Sequence, residues 1–122
     1  MAKITGLGGI FFKSPDPKKL AAWYRDMLGL ELTDYGAATL SYDAPDHPPC
    51  VVWNPFAADT GYFAPSTREL MVNFAVDDLD GFVAMLTQKG ITVIGREDYD
   101  YGRFAWIMDP DGTKIELWEP KE

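Results

Sequence analysis

The feature that most constrains this chain is a set of local folding signals that occurs twice. Gly8 to Lys13 is a short apolar run rich in β-formers. Ser14-Pro15-Asp16-Pro17 breaks it and opens a helix, with Asp16 as the capping acceptor and Pro17 at the first helical position. Leu20, Trp23, Tyr24, Met27 and Leu28 follow at helical spacing, which predicts one apolar face. Gly29 supplies a C-cap, and Leu30-Glu31-Leu32 begins a strand. The order then returns. Met71 to Val76 is a strand and Asp77-Asp78 an acidic helix start; Phe82, Val83, Leu86 and Lys89 continue the helix. Gly90 ends it before the strand Ile91-Thr92-Val93-Ile94. Gly29 and Gly90 stand 61 residues apart, and so do the helix starts Pro17 and Asp78. The matched offset predicts a duplicated unit.

Each half continues in strands, Ala38 to Tyr42 and Cys50 to Asn54 in the first, Phe104 to Met108 and Thr113 to Trp118 in the second. The last two flank Asp109-Pro110-Asp111-Gly112, a strong turn signal. Each half therefore reads β-α-β-β-β. Between them Pro55 to Arg68 is long for a structureless connection, and its Phe56, Tyr62, Phe63 and Pro65 suggest a binding loop.

Composition limits the function classes. The net charge is −8, with 19 acids against 11 bases, and the only adjacent basic pair is Lys18-Lys19. Nucleic-acid binding needs a basic face to neutralise phosphates, so it is not expected. No apolar run reaches the roughly 18 residues of a membrane span, and Met1 to Gly6 does not read as a secretory signal. A single cysteine, Cys50, rules out an internal disulfide and fits a cytoplasmic protein; it reads as a small buried strand residue. A single histidine, His47, prevents any two-histidine site within one chain. It sits in a turn-like Asp46-His47-Pro48-Pro49 segment and reads as a surface histidine, with a displaced base or unusual ligand as the alternative. No GxGxxG, P-loop, GxSxG or HExxH element occurs.

Paired βαβββ halves with this ending resemble the vicinal oxygen chelate superfamily, which holds glyoxalase I, extradiol dioxygenases and bleomycin-resistance proteins. Three stretches carry the resemblance: Ala22-Trp23-Tyr24-Arg25-Asp26-Met27-Leu28-Gly29-Leu30, Val76-Asp77-Asp78-Leu79-Asp80, and Asp109-Pro110-Asp111-Gly112-Thr113-Lys114-Ile115-Glu116-Leu117. It implies an α+β fold in which two βαβββ modules form a curled eight-stranded cup with the helices outside. It also implies a single domain over 1–122, with module one about 4–57, a linker loop about 55–68 and module two about 69–120. A homodimer is implied as well, since two chains commonly complete or flank the cups.

The resemblance further implies a divalent metal on three or four His, Gln or Glu side chains, chelating two substrate oxygens. Glu116 matches the ligand position that ends the second module. The other positions fall at Gly9, at Met71, and near Val52 to Asn54, where the chain has no glutamate. No metal or other cofactor is therefore expected, although Glu116 alone could still serve as a ligand. Two functions remain open. One is a metal-free protein binding a small hydrophobic or aromatic molecule in the cup, as bleomycin-resistance proteins do. The other is a lyase or dioxygenase-type enzyme of the same superfamily, with Glu116 as base or metal ligand.

The candidate site follows from these matches. The family match turns Glu116 inward with Trp118 on the same face, because strand side chains alternate. A carboxylate walled by aromatic rings has a raised pKa and suits general-base work, or it anchors a ligand donor. Phe11 shares the face of Gly9, and Asn73 that of Met71. Trp106 matches a substrate-contacting position of fosfomycin-type relatives, with Ala105 as the alternative for the inward residue. Trp53, Phe56, Tyr62 and Phe63 surround the middle segment as a lid or partner surface. Arg103 either binds a ligand carboxylate or pairs with Asp98 or Asp100.

Overall fold

The computed structural model describes residues 2–3 and 7–121. The start of the first module at residue 4, and most of the N-terminal stretch Met1 to Gly6, lie outside the described residues. Among the described residues two helices and four strands form, α1 (Pro17–Leu28), β1 (Met71–Ala75), α2 (Leu79–Gln88), β2 (Gly95–Tyr99), β3 (Gly102–Met108) and β4 (Lys114–Pro120).

Both helices start and stop where their capping residues dictate. The Asp16 carboxylate accepts from the Lys19 amide at 3.2 Å, Pro17 follows it, and Gly29 closes α1 with φ at 78°. In α2 the Asp78 carboxylate accepts from the Gly81 amide at 3.1 Å. A Cβ at Gly81 would stand 2.5 Å from Asp78 Oδ2, so a larger residue there would make the capping carboxylate shift. A second free amide, that of Leu79, donates to Glu119 Oε1 at 2.7 Å and ties the helix start to β4.

The sheet order is β1-β4-β3-β2. β1 runs parallel to β4, and the other two pairs are antiparallel. One face carries Val72, Ala105, Ile107, Ile115 and Leu117 onto Leu20, Tyr24 and Leu28 of α1 and Leu79 and Leu86 of α2, and this is the core. The ladder pairs Asn73 with Glu116 and Glu116 with Trp106, so those three share the opposite face. The turn Asp109 to Gly112 joins β3 to β4, with Gly112 at φ 83°. Its Asp109 carboxylate accepts from the amides of Asp111 and Thr113, and from the Tyr24 hydroxyl at 2.6 Å. Tyr24 thereby locks α1 to the turn that orients β4.

The α+β reading holds, but the eight-stranded cup is not seen among the described residues. Among the described residues the first half contributes no strand to the sheet. Its ladder contact among those residues is the isolated bridge between Leu32 and Ala38. The runs Gly8 to Lys13, Ala38 to Tyr42 and Cys50 to Asn54 therefore differ from expectation. An apolar alternation predicts extended backbone, but it does not supply the neighbouring strand that a ladder needs. Cys50 is accordingly exposed rather than a buried strand residue. Ile91 to Ile94 is also not a strand. The Ile91 amide still returns to Leu86 O, and pairing begins only when the Ile94 amide reaches Trp106 O.

Candidate ligand-binding site

Glu116 lies at the centre of β4, 8% exposed, on the face turned away from the helices. Burying a carboxylate costs several kcal/mol unless donors replace its water. Three donors do so. Asn73 Nδ2 reaches Oε1 at 2.7 Å from β1, and Trp106 Nε1 reaches Oε2 at 2.8 Å from β3. The Tyr62 hydroxyl reaches Oε2 at 2.5 Å from the segment joining the two halves. Burial and the facing Glu116 charge both hold the Tyr62 hydroxyl above its usual range, so it remains the donor.

Lys114 stands two residues before Glu116 and shares its face. It is 9% exposed and donates to the Tyr62 carbonyl at 2.7 Å. Its ammonium lies 5.2 Å from the Tyr62 ring centre and 5.5 Å from that of Trp106. Burial pushes its pKa down, with the Glu116 charge acting in the opposite direction. Among the described residues no carboxylate comes within 4 Å of it. Sequence reasoning missed Lys114, although its position two before Glu116 on a strand carried the signal.

Aromatic rings frame this polar centre. Tyr62 stacks on Phe56 at 5.5 Å and meets Trp106 edge-on at 6.2 Å. Phe104 stacks on Trp106 at 6.3 Å. Gly95 sits under the Trp106 indole, where a Cβ would come within 3.2 Å of the ring. Trp118 lies on the same face, half-buried. Its indole N–H is buried without an acceptor and packs over Gly102, where a Cβ would meet Nε1 at 2.6 Å.

The fold thus gathers Phe56, Tyr62, Asn73, Trp106 and Glu116 into one cluster, with Trp118 beside it. The register also settles the choice between Ala105 and Trp106. Ala105 is in the core, and Trp106 faces Glu116. Three predicted residues lie apart. Phe11 is 93% exposed and Trp53 79%. Arg103 points to the helix side, where it donates to Asp80 at 2.9 Å and lies 3.5 Å from Asp98. His47 is half-buried against Tyr42, ring centres 5.1 Å apart.

The donor set around Glu116 does not fit the divalent metal that the superfamily often holds. Its neighbours are N–H and O–H groups turned toward the carboxylate, and their hydrogens occupy the space a cation needs. Among the described residues no group of three or more His, Cys, Asp and Glu gathers. Two cavities, about 270 and 90 Å³, lie at the end of β1 near Asp46 and Phe82 and beneath Leu40 and Leu30. Neither is lined by Glu116 or Tyr62.

The sequence pattern of the glyoxalase-like domain matches residues 9–118. No curated protein matches the chain. Among solved structures, the antibiotic-binding protein TnmS3 from Streptomyces sp. CB03234 is 24% identical with a TM-score of 0.65, over 99% of this chain and 100% of that one. An integron cassette protein from the mobile metagenome of V. cholerae is 17% identical with a TM-score of 0.64, over 98% of each chain. A glyoxalase/bleomycin resistance protein/dioxygenase superfamily member from Sphaerobacter thermophilus is 24% identical with a TM-score of 0.52, over 85% of this chain and 88% of that one. These likenesses concern the fold. With its pattern matched over residues 9–118, the chain belongs to the glyoxalase-like domain family of the vicinal oxygen chelate superfamily.

Proposed function

We propose that this chain binds a small hydrophobic or aromatic molecule on the Glu116 face of its sheet, without a metal, and does so as a homodimer. The observation that carries this reading is the buried Glu116 carboxylate, held by Tyr62, Asn73 and Trp106 inside an aromatic frame. Such a site supplies apolar contact for affinity and one oriented acceptor for selection. The antibiotic-binding neighbour that shares the fold supports it.

The homodimer reading rests on the first half of the chain. Its extended runs expose Ile10, Phe11, Leu40, Val52 and Trp53, and they carry backbone groups without ladder partners. A second copy that covers these runs would bury their apolar surface. It would also pair their backbone and complete the eight strands of two βαβββ modules.

Tryptophan fluorescence and thermal shift with 2-methoxynaphthalene and 2-naphthol test the binding reading. Saturable binding that Trp106→Ala weakens about tenfold or more is expected, given the contact area of an indole. Absence of binding by both probes, to the full chain and to its Tyr62 variants, overturns it.

A further inference from the structure

The Tyr62 phenol is placed as a ligand would be. It comes from the connecting segment rather than from the sheet, and it is 40% exposed. Its hydroxyl donates to Glu116 Oε2, its ring face meets the Lys114 ammonium, and its flanks meet Phe56 and Trp106. The segment keeps another anchor on the β3–β4 turn, since the Ser66 hydroxyl donates to the Gly112 carbonyl. The other contacts of Glu116 come from the strands themselves. Three features of the cluster thus select for the group it now holds. A buried carboxylate favours a donor, a buried ammonium without a carboxylate favours a π-face, and the neighbouring rings favour a flat partner.

From this we infer that the site takes a hydroxyaryl ligand, whose hydroxyl replaces that of Tyr62 on Glu116 and whose ring replaces the Tyr62 ring over Lys114. Tyr62 is then the internal occupant that such a ligand displaces. The inference rests on the proposed binding function and narrows it to one ligand chemistry.

Matched probes separate the two. 2-Naphthol and 2-methoxynaphthalene have the same ring system, but only the first donates a hydrogen bond. Dissociation constants are measured by tryptophan fluorescence for the full chain, Tyr62→Ala, Tyr62→Phe, and Tyr62→Ala with Glu116→Gln, each checked by circular dichroism. In Tyr62→Ala, 2-naphthol should bind about tenfold or more tightly than 2-methoxynaphthalene, the scale of one hydrogen bond to a charged acceptor. Adding Glu116→Gln should reduce that preference to about threefold or less, because the charge is gone while the shape is kept. Tyr62→Phe keeps the ring and frees Glu116 of one donor, so its preference for 2-naphthol should exceed that of the unmodified chain. That comparison decides the matter if Tyr62→Ala does not fold. Equal binding of both probes in the Tyr62 variants overturns the hydroxyaryl inference and leaves the binding function standing. No binding of either probe to any form overturns both.

Discussion

Trp106 stands directly opposite Glu116 in the β3–β4 ladder, and its indole N–H donates to the Glu116 carboxylate at 2.8 Å. Cross-strand pairs of this kind share one face by construction. The hydrogen bond therefore fixes which side of the second-half sheet is polar and available. The core stays on the other side, under both helices.

Replacing that acceptor should cost stability. Glu116→Gln presents an amide N–H₂ to three side-chain donors that now meet a carboxylate, so at least one loses its partner. A loss of about 1–3 kcal/mol is expected. Urea unfolding with an unchanged slope reads it directly. A midpoint equal to that of the unmodified chain would mean that the carboxylate is not held as described.

Tyr24→Phe should be comparably costly for a different reason. Asp109 is buried and loses its one side-chain donor, while two backbone amides remain. About 1–3 kcal/mol is expected by the same unfolding measurement. Because α1 and the β3–β4 turn meet at this bond, proteolysis near Gly29 should also accelerate.

Stability should fall at alkaline pH. Burial and the Asp109 carboxylate hold the Tyr24 hydroxyl above its usual range, and burial and Glu116 do the same for Tyr62. In the unfolded chain tyrosines ionise near pH 10. The contribution of both is complete below that value and is lost as pH climbs toward their higher folded values. Lys114 acts oppositely. Burial lowers its pKa, so the fold gains as pH rises toward the ordinary 10.5. Unfolding midpoints between pH 8 and 11 should therefore drop more steeply in Lys114→Met, and less steeply in Tyr24→Phe with Tyr62→Phe. Identical slopes in all three would refute the assignment.

Both helices, the β3–β4 turn and most second-half strands were legible in the sequence. Asp16, Pro17 and Gly29 bound one helix, Asp78 starts the other, and Asp109 to Gly112 makes the turn, because caps and turns depend on neighbouring residues only. The second-half strands followed to within a few residues, Ile91 to Ile94 excepted. The strands expected in the first half were not legible in the same way. Its runs carry β-forming side chains, but a ladder is a property of two strands, and the partner of Gly8 to Lys13 is not encoded beside it. The site divided along the same line. The Asn73, Trp106 and Glu116 arrangement depends on strand register within one half; the family resemblance pointed to these residues, while alternation alone left Ala105 and Trp106 open. Placement of Tyr62 on Glu116 depends on the course of the connecting segment, which no local rule specifies.

Association should be measurable in solution. A homodimer that covers the exposed first-half runs has twice the 13.6 kDa of one chain by light scattering. Trp53→Glu, which puts charge on that surface, should shift the mass toward a monomer. A 13.6 kDa species at high micromolar concentration in the unmodified protein would remove the dimer from the account.

The central claim, that ligand binds at the Glu116 cluster, is tested most directly by the indole N–H resonances of the four tryptophans during titration with 2-naphthol. Trp106→Phe assigns the resonance of Trp106. The account predicts a saturable shift of the Trp106 indole proton, whose acceptor is the carboxylate that the ligand engages, with little change at Trp23 in the α1 packing. A Trp106 resonance that stays fixed while 2-naphthol binds, with the shift confined to Trp23 or Trp53, would contradict it and place the ligand elsewhere on the protein.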